Sequence, residues 1–174
     1  MRDASSPDQP SPDRPGPRVS PGASPRELVG SWLLSRRIED RRARETLHVT
    51  GTTEVSMRED GRIAWRESGE LTRGAAADAP PIPVRRELLI ERRECFQDGE
   101  QRTESPGGEW MVLFADGRDF HPWTPGRAVV HPCGEDRYDG LVEITDTGRW
   151  HVTWEVVGPA KDMTICSVLT APRP

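Results

Sequence analysis

The stretch Tyr138–Pro159, YDGLVEITDTGRWHVTWEVVGP, decides the fold. Trp150, Val152, Trp154 and Val156 alternate with His151, Thr153, Glu155 and Val157, the period of a strand with one face packed and the other wet. Asp146-Thr147-Gly148-Arg149 precedes this run and Gly158-Pro159 follows it, both with turn chemistry. Tyr138–Thr145 ahead of the turn has strand composition, so the unit reads as a hairpin. Trp150 and Trp154 form a stripe that suits either core packing or the wall of a ligand cavity.

The same pattern extends in both directions. Ser24-Pro25-Arg26-Glu27 is a capping box with proline at the first helical position, and predicts a single helical turn ended by Gly30. In Gly30–Ile38, residues Trp32, Leu34 and Ile38 share a face, with Arg36 breaking the stripe. Thr46–Met57 places Val49, Gly51, Thr53 and Val55 together. Glu59-Asp60-Gly61-Arg62 is a hairpin turn of the Asp-Gly type. Ile63–Leu71 returns with Trp65 and Glu67 on one side of Gly69. Val84–Phe96 reads as a long strand, with a helix as the alternative because Arg and Glu are good helix formers, and Gln97-Asp98-Gly99 turns it. Glu109–Phe114, Asp119–Trp123 and Asp162–Thr170 complete the series. About nine or ten strands at hairpin spacing predict an all-β fold, a single antiparallel meander β-barrel of about 8–10 strands with a short N-terminal helical turn. Closure removes the edges that such a meander would expose, and the glycines inside strands, Gly51 and Gly69, suit the bends of a small barrel.

Composition sets the boundaries. Residues 1–23 are rich in Pro, Ser and Asp with almost nothing apolar, and are expected to be a disordered tail; residues 24–174 form the barrel domain. The formal charge of −5 carries no basic stripe and argues against a nucleic-acid partner. No stretch is long and apolar enough for a membrane span, and no secretory signal is read, so a cytoplasmic protein is expected. Cys95, Cys133 and Cys166 are widely spaced, which argues against a disulfide framework or a cysteine-rich zinc site. Nearly all basic residues are arginine, and the pairs Arg85-Arg86 and Arg92-Arg93 read as a solvated face.

The chemistry concentrates in Asp119–Gly140, DFHPWTPGRAVVHPCGEDRYDG, which holds His121, Trp123, His131, Cys133 and the sole tyrosine, Tyr138. Each of these histidines precedes a proline, which holds it on stiff, extended backbone. As a catalytic set, His121 or His131 would act as base, Asp136 would orient it, and Tyr138 would donate to a developing oxyanion. The same residues would serve equally as a buried hydrogen-bond network that fixes the loop. Cys133 reads as a buried, inert thiol. A metal reading would recruit His121, His131 and Cys133, with Asp136 as an optional fourth ligand, at a spacing that matches no compact motif. Trp32 reads as a plug at one barrel end, stacked under an arginine. His48 and His151 read as surface or packing residues.

The Gly30-Ser31-Trp32 start, Glu67-Ser68-Gly69, Asp116-Gly117-Arg118 leading to Phe120-His121, His131-Pro132-Cys133-Gly134 leading to Asp136 and Tyr138, and Gly158-Pro159-Ala160-Lys161-Asp162 together resemble an uncharacterised bacterial family of lipocalin-like domains, of calycin type, from about Arg26 to the end. That resemblance implies a β-barrel. The similarity to nitrobindin-type haem barrels is weaker, since their longer glycine-rich motif is absent after Trp32. No cofactor is expected, with haem or a transition metal left open. The function expected is binding of a small, partly apolar molecule in the barrel interior. Trp65, Trp110, Phe120, Trp123 and Trp154 would form its wall, with His121, His131 and Tyr138 as polar contacts and Lys161 as an anion anchor at the mouth. The alternatives are a cofactor-independent isomerase, cyclase or dehydratase using the His/Asp/Tyr cluster, and a protein-interaction module.

Overall fold

In the computed structural model the described residues are 22–74, 79–93, 109–145 and 148–172. The predicted tail therefore lies almost wholly outside the described residues, as do Cys95 and the turn expected at Gln97-Asp98-Gly99. One 3-10 turn, Pro25–Leu28, is followed by ten strands: β1 (Gly30–Asp40), β2 (Glu45–Met57), β3 (Ile63–Arg73), β4 (Ile82–Arg93), β5 (Glu109–Phe114), β6 (Asp119–Pro122), β7 (Val129–Cys133), β8 (Asp136–Thr145), β9 (Arg149–Val157) and β10 (Asp162–Thr170). All are antiparallel neighbours in one sheet of order β6-β5-β4-β3-β2-β1-β10-β9-β8-β7. The first and last strands pair with each other, from Leu33 opposite Thr170 to Asp40 opposite Met163. The sheet ends, β6 and β7, come into contact without a hydrogen-bonded ladder, so the barrel is nearly closed.

Strand β9 shows why this sequence curls. Trp150, Val152, Trp154 and Val156 are buried, while the residues between them are half-buried. The inward residues of its neighbours match this set, and together they form one core from Leu34 through Trp65 and Ile90 to Leu169. The segment that also allowed a helix is strand β4, because Leu88 and Ile90 join that core on the inward face. Two strand boundaries differ from expectation. Val129–Cys133 is a strand of its own, and β8 starts at Asp136, so Asp136 and Tyr138 share a face.

Curvature rests on missing side chains. Gly51 of β2 lies opposite Gly69 of β3. A Cβ on Gly51 would stand 2.1 Å from the Ser68 carbonyl oxygen, and one on Gly69 would stand 2.4 Å from the Thr50 carbonyl oxygen. The two backbones approach too closely for any side chain there. On the far side, Gly140 of β8 lies opposite Trp154, and a Cβ would meet the indole ring at 2.3 Å. The ring occupies the space that a side chain would take.

The 3-10 turn seals one end. Ser24 and Glu27 form the predicted capping box, with the Ser24 backbone N–H donating to Glu27 Oε1 at 2.8 Å. Leu28 is buried beneath it. The Trp32 indole N–H donates to the Leu28 carbonyl at 2.8 Å, and the Trp123 indole N–H donates to the Ala23 carbonyl at 2.9 Å. Trp32 is thus held at the plug as expected, but its ring packs edge-on to Trp150. The arginine there, Arg26, lies over Trp110 instead, 5.5 Å from the ring centre.

Replacing Gly51 by alanine is expected to cost about 3 kcal/mol, because the added methyl meets backbone that cannot swing aside. Urea unfolding of Gly51→Ala against wild type measures it; a loss below 1 kcal/mol on the same scale would show that the strands have room to spread.

Candidate functional site

The seam between β6 and β7 gathers most of the residues singled out in Asp119–Gly140. The register between β5 and β6 shifts between Val112 and Leu113, so that Val112 opposes His121 while Leu113 opposes Asp119. The extra residue is Phe120. Such a bulge re-aims side chains, and here both Phe120 and His121 pack inward. Phe120 stacks on Trp154 (centroids 5.0 Å, 21° between planes) and packs on Phe114 at 4.6 Å. His121 and His131 each lie 4.8 Å from the Phe120 ring, edge-on. Aromatic contacts therefore join the two strands where a backbone ladder does not.

The two histidines have different environments. His121 is buried, and its Nδ1–H donates to the Pro122 carbonyl at 2.8 Å. Burial pushes its pKa down to about 4; the backbone hydrogen bond opposes the shift, and the positive charges of Arg86 and His131 add to it. The imidazole is thus neutral near pH 7. His131 is half-buried and lies opposite Tyr138 across the β7–β8 ladder, with ring centroids 6.1 Å apart.

Asp136 faces Lys161 rather than either histidine. Lys161 Nζ lies 2.7 Å from Asp136 Oδ2 and donates to the Tyr138 hydroxyl at 2.8 Å. These bonds, Asp136 first, raise the lysine pKa and keep it an ammonium. Among the described residues Asp136 thus pairs with Lys161 and makes no hydrogen bond to His121 or His131, and Lys161 sits in a rim ion pair. The Tyr138 oxygen accepts from Lys161, which leaves its own O–H available to donate.

Deeper inside lies a network missing from the sequence-based candidates. Glu67 accepts from Arg36 Nη2 at 2.8 Å through one oxygen and from Arg86 Nη2 at 2.6 Å through the other. Arg36 Nε also donates to Ser167 at 2.8 Å, and the Arg86 guanidinium lies 5.2 Å from the Trp65 ring centre. The Glu67 side chain is 4% exposed. Burial raises the carboxyl's pKa, but the charges of Arg86 and Arg36 outweigh it and hold the group below the ordinary range. A void of about 50 Å³ borders the network, lined by Leu34, Val49, Gly69, Val84 and both arginines. A larger groove of about 440 Å³ is lined by the outward-facing Thr52, Glu54, Arg66, Ser68, Arg85 and Glu87 together with Glu67 and Arg86 of the network.

The expected site residues thus divide by place. Phe120, His121, His131, Tyr138 and Trp154 come together in the open half of the barrel. Trp65 is buried against Trp150 at 4.9 Å in the centre. Trp110 and Trp123 belong to the sealed end, where they hold the 3-10 turn. Cys133 is exposed, not buried. Among the described residues no three His, Cys, Asp or Glu side chains are grouped to hold a metal ion, and His121, His131 and Cys133 do not form such a set. Arg86 points inward, whereas its neighbour Arg85 belongs to the solvated face. The signal was present in the pattern: Arg36, Glu67 and Arg86 occupy inward positions of apolar stripes on strands β1, β3 and β4.

Residues 28–171 match DUF6314, a family of unknown function. Comparison with curated proteins finds no match. Among solved structures, the fold is similar to that of the S-type phycobiliprotein lyase CPES from Guillardia theta, with a TM-score of 0.56 over 86% of this chain and 91% of that one, at 9% sequence identity.

The neutral, buried state of His121 makes stability depend on pH. In the unfolded chain the imidazole titrates near 6.5, and in the fold near 4. Its contribution is complete above pH 6.5 and is lost as the pH falls toward 4, by about 3 kcal/mol in all. Thermal melts of wild type and His121→Leu between pH 7 and pH 4 should show the variant with the flatter profile across that window. Parallel profiles would mean that the ring titrates in the fold as it does in the unfolded chain.

Proposed function

We propose that this chain, which belongs to the DUF6314 family, binds a small, partly apolar molecule in the open half of its barrel, and does so in the cytoplasm. The observation that carries the reading is the array of Phe114, Phe120 and Trp154 on the inner wall, beside the half-buried His131 and Tyr138. An apolar wall with a few convergent polar groups is the usual chemistry of a ligand site. The opposite end is closed by the 3-10 turn, so a molecule would enter past the Tyr138–Lys161–Asp136 rim. That a phycobiliprotein lyase is built on a similar barrel is compatible with this use of the fold. Among the described residues no helix is long and apolar enough to cross a membrane.

A second reading, acid–base catalysis in the same place, draws on one observation. Lys161 donates to the Tyr138 oxygen, so the phenol is held and polarised while its proton remains available to a substrate oxygen. His131 would then be the base, without a carboxylate partner.

Native mass spectrometry of protein isolated from its own host should show a bound small molecule. Phe120→Ala should lower its retention at least about tenfold, as loss of a stacked aromatic contact implies, while His131→Ala weakens it less. Only the bare polypeptide mass, from fresh host extract, would count against a bound ligand. For catalysis, Tyr138→Phe would abolish turnover on the retained molecule yet leave its binding intact.

A further inference from the structure

We propose that the interior site is specific for a small monocarboxylic acid, whose carboxylate is taken by Arg86 and Arg36 beside Glu67. This rests on the interior binding proposed above and adds the class of ligand. The first support is charge. Two guanidiniums share one carboxylate, Glu67, so the network carries one net positive charge inside the barrel. Lys161 is balanced by Asp136 at the rim, and His121 is neutral near pH 7. Burying charge is not a general route to stability, since well-packed apolar residues do as well or better.

The second support is a surplus of donors. Arg86 Nε, Thr53 Oγ1, Trp65 Nε1 and Trp150 Nε1 are buried without a hydrogen-bond partner among the described residues. Thr53 and Arg86 are the cross-strand partners of Glu67 on either side, and Trp65 precedes Glu67 by two residues on the same face. Buried donors without acceptors are costly, and three of these four lie on or beside the strand positions flanking Glu67, whose oxygens are already engaged by Arg36 and Arg86. What the place lacks is acceptor oxygens and negative charge. A carboxylate supplies both, and guanidinium is the side chain best shaped to hold it. The 50 Å³ void borders both arginines and Glu67.

The third support is continuity. Across the sheet, Trp154 opposes Ile165, and Ile165 opposes Ile38, two residues from Arg36 on the same inward face. The aromatic wall of the open half therefore shares the inward face with Arg36, two strands away across Ile38 and Ile165. A molecule with its acid group on the arginines would lay its apolar part along Ile38 and Trp154. One net charge calls for a monoacid rather than a diacid.

The test is an NMR titration of the full chain with two matched pairs of probes, 3-phenylpropanoate against 3-phenylpropanamide and cyclohexanecarboxylate against its amide. Each acid should bind at least about tenfold more tightly than its amide, the worth of a charge-assisted hydrogen bond. Arg86→Gln should abolish that preference, bringing each acid to the affinity of its amide. Glu67→Gln removes the competing internal anion and should tighten acid binding about tenfold. It serves as the deciding variant should Arg86→Gln not fold. Equal affinity of acids and amides would overturn the carboxylate assignment while leaving interior binding standing. Binding of neither would overturn both. Weaker acid binding in a folded Glu67→Gln protein would make the network structural and end the proposal.

Discussion

Everything inside this barrel is arranged around Glu67, a carboxylate held between two guanidiniums. Strands β1, β3 and β4 each bring one charged residue to an inward position where an aliphatic one would be ordinary. The strand order puts all three within reach: Glu67 opposes Arg86 directly, and Arg36 reaches it from the far side of β2. Removing one partner from such a group strands a buried charge and typically costs about 3–5 kcal/mol. The close approach of Gly51 and Gly69, the position of Arg86 over Trp65, and the exclusion of bulk from the neighbouring void form one arrangement. Each makes sense only with the others.

A second constraint acts at the seam. Strand β6 spans four residues and β7 five, and their backbones do not pair. Short strands limit the edge that a neighbouring chain might extend. Phe120 fills the join, with an imidazole on each side and Trp154 beneath. The bulge that turns Phe120 inward is therefore part of how the barrel closes, and the aromatic wall of the proposed site is the same set of rings. Closure and ligand chemistry use one set of side chains.

Much of the fold was legible because strand period and turn chemistry agreed. The alternation in Trp150–Val157, the Asp-Gly turn at Asp60-Gly61 and the Ser24–Glu27 capping box each specify local geometry that tertiary packing did not override. The site was less legible, for a physical reason. A stripe of period two says which residues face inward, but not which strands lie side by side. Arg36 was visible as a break in its stripe, and Arg86 stood next to Arg85 in what read as a solvated pair. Their meeting at Glu67 depends on strand order. Likewise, nearness in sequence suggested that Asp136 served His131, whereas the β9–β10 turn brings Lys161 to it first, and Gly158 leaves the room: a Cβ there would sit 1.9 Å from Asp136 Oδ1.

The clamp on the 3-10 turn has a consequence for what can be attached to this domain. Ala23 is pinned by Trp123 and, at the other terminus, the Ala171 N–H donates to the Gly148 carbonyl at 3.3 Å, so both ends of the described chain leave from the plugged side. A tether, fusion partner or neighbouring domain joined at either terminus would hang behind the barrel like a handle on a cup, and traffic across its lip would be unaffected.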